Sequence, residues 1–391
     1  MLVNQGPAQL TAVDGPLDGL DGRHQHSFTS FAVVCITARD HTLPLRLNPN
    51  SSQENGRTVT TTTRITLAQR PTGLPDDSTW AVEKVELPGP AEGQVLVKVD
   101  HISLDPAMRG WLNDVRSYLP PVQIGDVMRA TVTGTVVESR HRDFAVGDAV
   151  SGTLGATEYA LSDGDDLQKI DTSVAAPATW LGALGMPGLT AYHGLHEVGE
   201  MTAGDTVVIS AAAGAVGSVA GQLAKAKGCT VIGIAGGPDK CAWLTEIGFD
   251  AVIDYKSENV LKRLRQTAPD GIDIYFDNVG GDILDAALAN LRRGARVVIC
   301  GAISTYNDET LAPGPRRYMS LLVFRARMQG FLVFDYPDKD AAAIADMSAL
   351  IGSGALVARE TVVEGGVEDF GRTLLDLFEG RNTGKLVLKI A

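Results

Sequence analysis

The chain has 391 residues and a formal net charge of −13 at pH 7, a length that suits two or three domains. Hydrophobic residues make up 44% and charged residues 21% of it, so a substantial core can form, as in an ordinary globular protein. The acidic balance argues against nucleic-acid binding as the main role, because contact with a phosphate backbone needs a basic face. No apolar stretch approaches the roughly 20 residues that span a bilayer.

The four cysteines are far apart and form no Cys-x-x-Cys pair, which predicts neither a disulfide framework nor a cysteine-based metal site. The first residues lack a basic segment followed by an apolar one, so we expect no secretory signal and a cytoplasmic location. Residues 1–57 are rich in Gly, Asp, Ser, Asn, Thr and Pro. They are interpreted as a disordered leader, or as the product of an upstream start codon that adds little to the fold, and no function is assigned to them.

Residues 58–183 are predicted to form a small β-barrel, because short strands alternate with turns that contain Gly and Pro. The expected strands are at 80–87, 94–103, 131–138, 149–151 and 157–161. Residues 356–391 are predicted to add a strand, a helix at 367–378 and a terminal strand at 385–390. This last segment is expected to return to the barrel domain.

Residues 184–355 are predicted to alternate strands and helices. The expected strands are at 206–210, 230–235, 251–254, 272–277, 296–301 and 329–334. Helices are expected between them, at 239–247, 257–267 and 282–291 among others. Repeated strand–helix–strand units predict a parallel sheet with right-handed crossovers.

The segment SAAAGAVGSVAGQLAKAKG, from Ser210 to Gly228, follows a predicted strand and opens a predicted helix. This is the context of a dinucleotide-binding turn, in which glycines let the backbone approach a pyrophosphate at the positive end of a helix. Ala212 takes the place of the usual first glycine, so an ordinary tight turn is the alternative. Gly221 is expected to permit close packing of the helix on a strand. The candidate pyrophosphate-binding residues are Ala213, Gly214, Ala215, Val216 and Gly217.

The end of the second strand of this sheet discriminates between NAD and NADP. An NAD site usually has an acidic side chain there, whereas this sequence has Gly236 and, shortly after it, Lys240. The missing acid and the added cation favour NADPH, and Tyr255 is a further candidate donor to its 2′-phosphate. The alternatives are a solvated lysine and a surface aromatic residue.

Six stretches resemble, in order, one branch of the medium-chain dehydrogenase/reductase superfamily. The branch contains prostaglandin reductases (leukotriene 12-hydroxydehydrogenases), curcumin reductases and plant alkenal double-bond reductases. The stretches are LDPAMRG (104–110), GMPGLTAYHGL (185–195), AAAGAVGSVAGQLAK (211–225), FDNVGG (276–281), CGAISTYN (300–307) and GRNTGKLVLKI (380–390).

The resemblance implies an α/β fold with a GroES-like β-barrel catalytic domain, a Rossmann domain with a doubly wound parallel sheet, and usually a homodimer. Members of this branch reduce the carbon–carbon double bond of α,β-unsaturated aldehydes and ketones with NADPH and without metal. The zinc-dependent relatives carry a Cys near the position of Asp105 and a Gly-His-Glu beyond it, and this sequence has neither.

Such a reduction places negative charge on the carbonyl oxygen of the substrate, so a hydrogen-bond donor aimed at that oxygen is required. Tyr306 is the candidate catalytic residue, because it follows the fifth strand and its counterpart in the family lines the substrate site. A neutral tyrosine can donate there. The alternative is a loop tyrosine packed against cofactor or solvent.

The resemblance assigns further cofactor contacts to Asn278, to Met186 and Thr190 in a loop beside the nicotinamide, and to Asn382 near the phosphates. The structural alternatives are turn formation by the asparagines and helix capping by Thr190. Ala107 stands where many members have Tyr, which predicts a wider substrate pocket.

The remaining polar features are expected to be structural. His101 and His193 are expected to be structural, because no acidic partner or nucleophile is predicted to accompany them. Four arginines in the loop 308–327 are interpreted as a solvated or interface cluster. Two other functions stay open: an NADPH quinone oxidoreductase, which the segment around Tyr306 disfavours, and a catalytically silent NADPH-binding protein.

Overall fold

The structure of the protein is a computed structural model that describes residues 59–390. The leader predicted over residues 1–57 lies outside the described residues. The strands of the described part, numbered in chain order, are β1 (Thr60–Leu67), β2 (Trp80–Leu87), β3 (Val95–Ser103), β4 (Val132–Ser139), β5 (Ala149–Gly152), β6 (Tyr159–Ser162), β7 (Leu167–Lys169), β8 (Thr206–Ser210), β9 (Thr230–Ala235), β10 (Ala251–Asp254), β11 (Ile272–Asp277), β12 (Leu291–Ile299), β13 (Arg327–Gly330), β14 (Glu360–Gly365) and β15 (Lys385–Ile390).

The α-helices of the same part are α1 (Ala107–Trp111), α2 (Met186–His193), α3 (Ala215–Ala226), α4 (Pro238–Glu246), α5 (Val260–Thr267), α6 (Gly281–Leu288), α7 (Ser320–Phe324), α8 (Asp340–Gly352) and α9 (Phe370–Phe378). A π-helical turn, Gly194–Val198, extends α2. The longest of these helices, α8, has 13 residues. Within residues 59–390, therefore, none has both the length and the apolar character needed to cross a membrane.

The first sheet is mainly antiparallel and has the order β14-β15-β3-β4-β5-β7, with β6 also paired to β3. Strands β1 and β2 form a separate antiparallel pair, and β1 is joined to the remainder by bridges at Arg64 and Thr66. Apolar side chains of β1, β3, β15 and α9 pack into one core. These elements form the β-barrel part of the predicted α/β fold.

The second sheet is parallel and has the order β10-β9-β8-β11-β12-β13. Neighbouring residues of β8 face opposite sides of it: Val207 and Ile209 pack with α3 and α8, and Val208 packs with α5 and α6. Helices thus cover both faces, which is the doubly wound Rossmann arrangement expected. Chain order reverses between β8 and β11, and in such sheets the ligand crevice lies there, at the carboxyl ends of the strands.

The C-terminal segment completes the first sheet. Strand β15 pairs antiparallel with β3, placing Leu388 opposite Ile102, and β14 pairs parallel with β15. We therefore retain residues 58–183 together with 356–391 as one proposed domain and residues 184–355 as the other.

Several predicted elements have different bounds in the structure, such as the strand expected at 296–301, which is β12. Two of the displacements have a visible cause or consequence. The helix expected at 282–291 ends at Leu288, because Leu291 pairs with Ile272 and begins β12. The sixth strand lies at Arg327–Gly330, paired with β12, and not at 329–334. The later part of that prediction, Val333–Asp335, is a 3₁₀ turn. An apolar run of this length fits a helix or a strand, and tertiary pairing decides which forms.

Candidate active site

A cleft of about 710 Å³ lies at the carboxyl edge of the parallel sheet and is bounded on its other side by the loop before α1 and by the start of β15. Its volume is within the range of known ligand sites. The structure brings all the predicted site residues to this one cleft: Met186, Thr190, Ala213, Gly214, Ala215, Val216, Gly217, Gly236, Lys240, Tyr255, Asn278, Tyr306 and Asn382.

The glycine-rich turn joins β8 to α3 at the floor of the cleft. Gly214 precedes α3, and no side chain caps the amino end of that helix, so its first N–H groups can bind an anion. A Cβ on Gly217 would lie 2.5 Å from the carbonyl oxygen of Ala211, which only glycine avoids. Ala211 itself has a φ of 47°, so the left-handed position of the turn comes one residue before Ala212. Gly221 lies against the ring of Phe249, where a Cβ would approach the ring to 1.9 Å, so the close packing of α3 at this position requires glycine.

Two lysines and a tyrosine lie where β9 and β10 end. The ring of Tyr255 covers Gly236, where a Cβ would lie 2.8 Å from the ring. Lys240 Nζ donates to the carbonyl oxygen of Gly380 over 2.7 Å. Burial lowers the pKa of Lys240, and the neighbouring charge of Lys256 lowers it further. Lys256 also lines the cleft, and the sequence analysis did not single it out.

Asn278 is held by the carboxyl end of β8. Its Nδ2 donates to the carbonyl oxygen of Ser210 over 2.7 Å, and its backbone N–H donates to Ser210 Oγ over 2.8 Å. The preceding Asp277 is buried, and its Oδ1 accepts hydrogen bonds from Ser210 Oγ, Tyr275 Oη and two backbone N–H groups at 2.9 to 3.0 Å. One N–H of Nδ2 is thereby used, and the second N–H and the amide oxygen of Asn278 remain to bind a ligand.

The sequence analysis places Met186 and Thr190 in a loop, but the structure has both in a helix. Both lie in α2, which begins at Met186 with Pro187 in its first turn, a position that proline favours. Thr190 does not cap the helix either, because its hydroxyl group donates to the carbonyl oxygen of Met186 over 2.7 Å, one turn back. Both side chains still border the cleft.

Asn382 binds its own chain. Its Nδ2 donates to the carbonyl oxygen of Gly384 over 2.8 Å, and the N–H of Gly384 donates to the carbonyl oxygen of Ala213 over 2.8 Å. The C-terminal segment therefore lies directly against the glycine-rich turn. Asn382 has the turn-stabilising bond that the structural alternative predicted, at a position that also borders the cleft.

Tyr306 ends a 3₁₀ turn that follows β12. The N–H of Ala302 donates to its hydroxyl oxygen over 3.2 Å, so the hydroxyl proton is free for another acceptor. Burial raises the pKa of Tyr306, the Ala302 N–H lowers it, and Cys300, Tyr118 and Asp277 raise it further. The net shift is upward, and the hydroxyl group is a neutral donor at physiological pH.

Tyr118 is a cleft residue that the sequence analysis missed. It lies in the irregular segment between α1 and β4, and its hydroxyl group accepts from Trp111 Nε1 over 3.3 Å. Ala107, at the start of α1, lines the same wall. No motif or periodicity marks Tyr118 in the sequence, because it becomes a neighbour of Tyr306 only through the fold.

The prediction that His193 has no acidic partner is wrong. His193 has an acidic partner, because its Nε2 lies 2.8 Å from Asp340 Oδ1. The ring is fully buried between α2 and the segment before α8, and it lies outside the cleft. Its partner comes from a distant part of the chain, which no local pattern could show. Of the arginines of the loop 308–327, Arg316 pairs with Asp282 on the exposed surface.

Among residues 59–390, no group of three or more His, Cys, Asp or Glu side chains is arranged to hold a metal ion. Asp105, near the position of a cysteine in zinc-dependent relatives, is buried and paired with Lys385 Nζ at 2.9 Å.

The chain is similar in sequence and in structure to known reductases. Residues 63–170 match a family described as the N-terminal domain of oxidoreductase, and residues 215–350 match one described as zinc-binding dehydrogenase. The NADPH-dependent curcumin reductase of Escherichia coli (strain K12) is 41% identical over 334 residues, which cover 84% of this chain and 96% of that protein. Prostaglandin reductase 1 of Bos taurus is 38% identical over 333 residues, which cover 83% and 98%. The crystal structure of CurA from Vibrio vulnificus in complex with NADPH has a TM-score of 0.80 at 41% identity, covering 84% of this chain and 99% of that one.

Proposed function

Since the chain belongs to the medium-chain dehydrogenase/reductase superfamily, in the family of the curcumin and prostaglandin reductases, we propose that it reduces α,β-unsaturated aldehydes and ketones with NADPH. The reaction converts the carbon–carbon double bond to a single bond and leaves the carbonyl group intact. The observation that carries the proposal is that the hydroxyl group of Tyr306, with its proton free, borders the same cleft as the uncapped amino end of α3.

The donor set of the cleft fits NADPH. The uncapped amino end of α3 suits a pyrophosphate, and Lys240, Lys256 and Tyr255 form a cationic group with a hydroxyl donor at the far end of the turn. That group would hold the 2′-phosphate, since an acidic residue is absent at the end of β9, where Gly236 and Gly237 stand. When bound, NADPH supplies a hydride to the β-carbon of the substrate.

The residues of this chain then stabilise the charge that develops on the substrate. Negative charge moves to the carbonyl oxygen, and the Tyr306 hydroxyl group donates a hydrogen bond to it. A proton from solvent is then added to the α-carbon, which completes the reduction. The N–H of Ala302 supports the tyrosine oxygen as its electron density rises. Tyr118, close to Tyr306, is proposed as a second polar contact for the substrate.

We propose that the reaction proceeds without a metal ion. Each carboxylate oxygen of Asp105 accepts a hydrogen bond inside the protein, one from Lys385 Nζ and the other from the hydroxyl group of Ser103, and the ammonium group beside it disfavours a metal cation. Tyr306 supplies the electrophilic assistance that zinc gives in metal-dependent relatives.

The substrate pocket is proposed to admit bulky enones. Ala107 presents only a methyl group to the cleft, which Trp111 and Tyr118 also line. A long-chain alkenal, an aryl enone or a prostaglandin-like lipid satisfies this geometry.

We further propose that the protein forms a homodimer through β13. This strand is the edge of the parallel sheet, and all four of its residues are exposed. Exposed apolar side chains flank it, among them Leu322 at 69% and Phe334 at 55% exposure. Unpaired edges and apolar patches of this kind are pairing surfaces, and two copies of β13 related by a two-fold axis would extend the sheet. The described cysteines are free thiols, which suits the proposed cytoplasmic location.

The experiment that tests the proposed reaction follows a deuterium label. The protein is incubated with NADPH deuterated at C4 and an aryl enone, and the product is analysed by NMR and mass spectrometry. We expect the saturated ketone with deuterium at the β-carbon. An allylic alcohol, or a hydroquinone as the sole product from a mixed enone and quinone sample, would overturn the proposal. Binding of NADPH without any product would favour the silent binding protein.

A further inference from the structure

A short C-terminal segment, Asn382–Lys385, touches both walls of the cleft. On the cofactor side, Gly384 N–H donates to the carbonyl oxygen of Ala213, and Gly384 forms a parallel bridge with Gly214. On the substrate side, Lys385 Nζ donates to the carbonyl oxygen of Leu104 over 2.6 Å and to Asp105 Oδ1 over 2.9 Å. Consecutive residues thus bind the glycine-rich turn and the loop that leads into α1.

The lysine of this segment is buried. The side chain of Lys385 is 2% exposed and that of Asp105 is 7% exposed, and the second carboxylate oxygen of Asp105 accepts from the hydroxyl group of Ser103. Burying an ion pair costs desolvation energy that a well-packed apolar pair avoids, so such a pair is weak evidence for stability alone. A lysine at the surface of the same strand, Lys389, pairs instead with Glu364 in solvent.

The backbone around Lys385 is equally constrained. Gly384 has a φ of 70°, and a Cβ there would lie 2.0 Å from the carbonyl oxygen of Arg359. The N–H of Lys385 donates to the same carbonyl group over 2.9 Å. The segment therefore has little freedom to shift along the cleft, and a movement of either wall is transmitted to the other through it.

We propose that Lys385 is a positioning residue that sets the distance between the cofactor turn and the substrate wall. The inference rests on the proposed function. The wall in question carries Ala107 and leads through α1 to Trp111, the hydrogen-bond donor to Tyr118. The bonds from Lys385 to Leu104 and Asp105 hold these proposed substrate contacts at a fixed distance from the glycine-rich turn at Ala213.

The consequence for the reaction is geometric. Reacting atoms must approach to about 3 to 3.5 Å, and a displacement of about 1 Å by a remote change can lower the rate about 100-fold. Loss of the Lys385 ammonium group should therefore lower kcat more than it weakens NADPH binding, because the cofactor contacts of the glycine-rich turn are backbone groups that Lys385 does not supply.

The test uses Lys385→Met together with Asp105→Asn in one variant, because the single lysine change leaves an unpaired buried carboxylate and can prevent folding. Asp105→Asn alone leaves the buried Lys385 ammonium group without its counter-charge, so it is included only to measure what loss of the ion pair costs in unfolding temperature. Lys389→Met removes a solvent-exposed ion pair from the same strand and is the matched control. Each protein is measured for unfolding temperature, NADPH affinity, kcat and KM with an aryl enone, and backbone hydrogen exchange of residues 104–111.

For the double variant we expect NADPH affinity within about threefold of the parent and kcat lowered about 10- to 100-fold. Lys389→Met should retain the activity and the NADPH affinity of the parent. In the parent, NADPH should slow hydrogen exchange in residues 104–111, and this protection should be lost in the double variant. A folded double variant with parental kcat and parental protection would overturn the proposal.

The exchange measurement separates this proposal from the proposed function. If the parent reduces no enone, the proposed function fails, while protection of residues 104–111 by NADPH still tests the coupling through Lys385. If the double variant does not fold, Lys385→Met with Asp105→Leu replaces it, because an apolar pair can take the place of a buried ion pair. Lost protection and a lowered kcat in that variant support the proposal, and parental values of both overturn it. Loss of protection in Lys389→Met would contradict the assignment to Lys385.

Discussion

Ser210 and Asp277 are joined by a 2.9 Å hydrogen bond from the serine hydroxyl group to Oδ1 of the aspartate. The bond connects the carboxyl ends of β8 and β11, the two strands at which the order of the parallel sheet reverses. The same hydroxyl group accepts the N–H of Asn278. Two cofactor elements, the glycine-rich turn and the Asn278 segment, are thus fixed to each other inside the protein.

Replacing Ser210 with Ala should therefore lower both stability and cofactor affinity. The buried Asp277 carboxylate loses one donor and the N–H of Asn278 loses its acceptor, at a cost of about 1 to 3 kcal/mol in the free energy of unfolding. Urea denaturation and NADPH titration measure the two effects. Tyr275→Phe removes another donor to the same oxygen from the core, and should destabilise without weakening NADPH binding. Equal affinity losses in both variants would contradict this account.

Removing the hydroxyl group of Tyr306 should slow turnover selectively. Loss of one donor to a developing oxyanion lowers kcat about 100- to 1,000-fold in well-studied cases, so we expect Tyr306→Phe to lose activity on enones in that range. NADPH affinity should stay within about twofold, because the assigned cofactor contacts lie elsewhere. Tyr318→Phe, at an exposed position outside the cleft, is the control. An unchanged kcat in Tyr306→Phe would remove this residue from the mechanism.

The pH profile gives a second test of Tyr306. The pKa of its hydroxyl group is raised above the ordinary value by burial, so the protonated, donating form persists to higher pH than in a free tyrosine, whose pKa is about 10. Activity should not fall through loss of this proton below about pH 10. Steady-state kcat as a function of pH measures this. If kcat falls at a pH below about 10 and this fall disappears in Tyr306→Phe, the raised pKa of Tyr306 is contradicted.

Replacing Lys240 with Met should weaken NADPH binding and leave NADH binding nearly unchanged. A charge-assisted bond to phosphate contributes about 1.5 to 3 kcal/mol, which corresponds to roughly 10- to 150-fold in affinity. Fluorescence titration with both cofactors measures the discrimination. Lys262→Met, on the exposed face of α5, should affect neither. If Lys240→Met weakens both cofactors equally, the lysine does not bind the 2′-phosphate.

Ala107→Tyr tests the width of the substrate pocket. A phenol ring at this wall should raise KM for an aryl enone or a long-chain alkenal and affect a small enone much less, because the ring fills space that only a large substrate occupies. NADPH affinity should remain that of the parent. A uniform change for all substrates would show that Ala107 does not limit the pocket.

The parallel sheet was largely predictable from the sequence. Strands β8, β9, β10 and β11 have the predicted bounds, because runs of β-branched and apolar residues buried on both faces carry a strong signal. Helix α2 gave no such signal. The loop expected there came from the resemblance, and the structure shows instead a helix that contains Gly188, where a Cβ would lie 1.8 Å from the carbonyl oxygen of Ala183.

The cofactor side of the cleft was predictable because a glycine-rich turn and the residues after each strand have fixed positions in this kind of sheet. The positions of Tyr118 and Lys385 in the cleft could not be predicted from the sequence. Tyr118 lies in an irregular segment without periodicity, and Lys385 resembles Lys389 in its local sequence, although one is buried and the other exposed. Contacts between distant segments decide both positions.

The most direct test of the proposed function follows NADPH absorbance with purified protein and a panel of acceptors. The panel contains a long-chain 2-alkenal, an aryl enone and a quinone, and NADH is the control donor. The account predicts oxidation of NADPH by the enones with formation of the saturated carbonyl compounds, and little reaction with NADH. Tight NADPH binding without reduction of any enone, or turnover of the quinone alone, would contradict it.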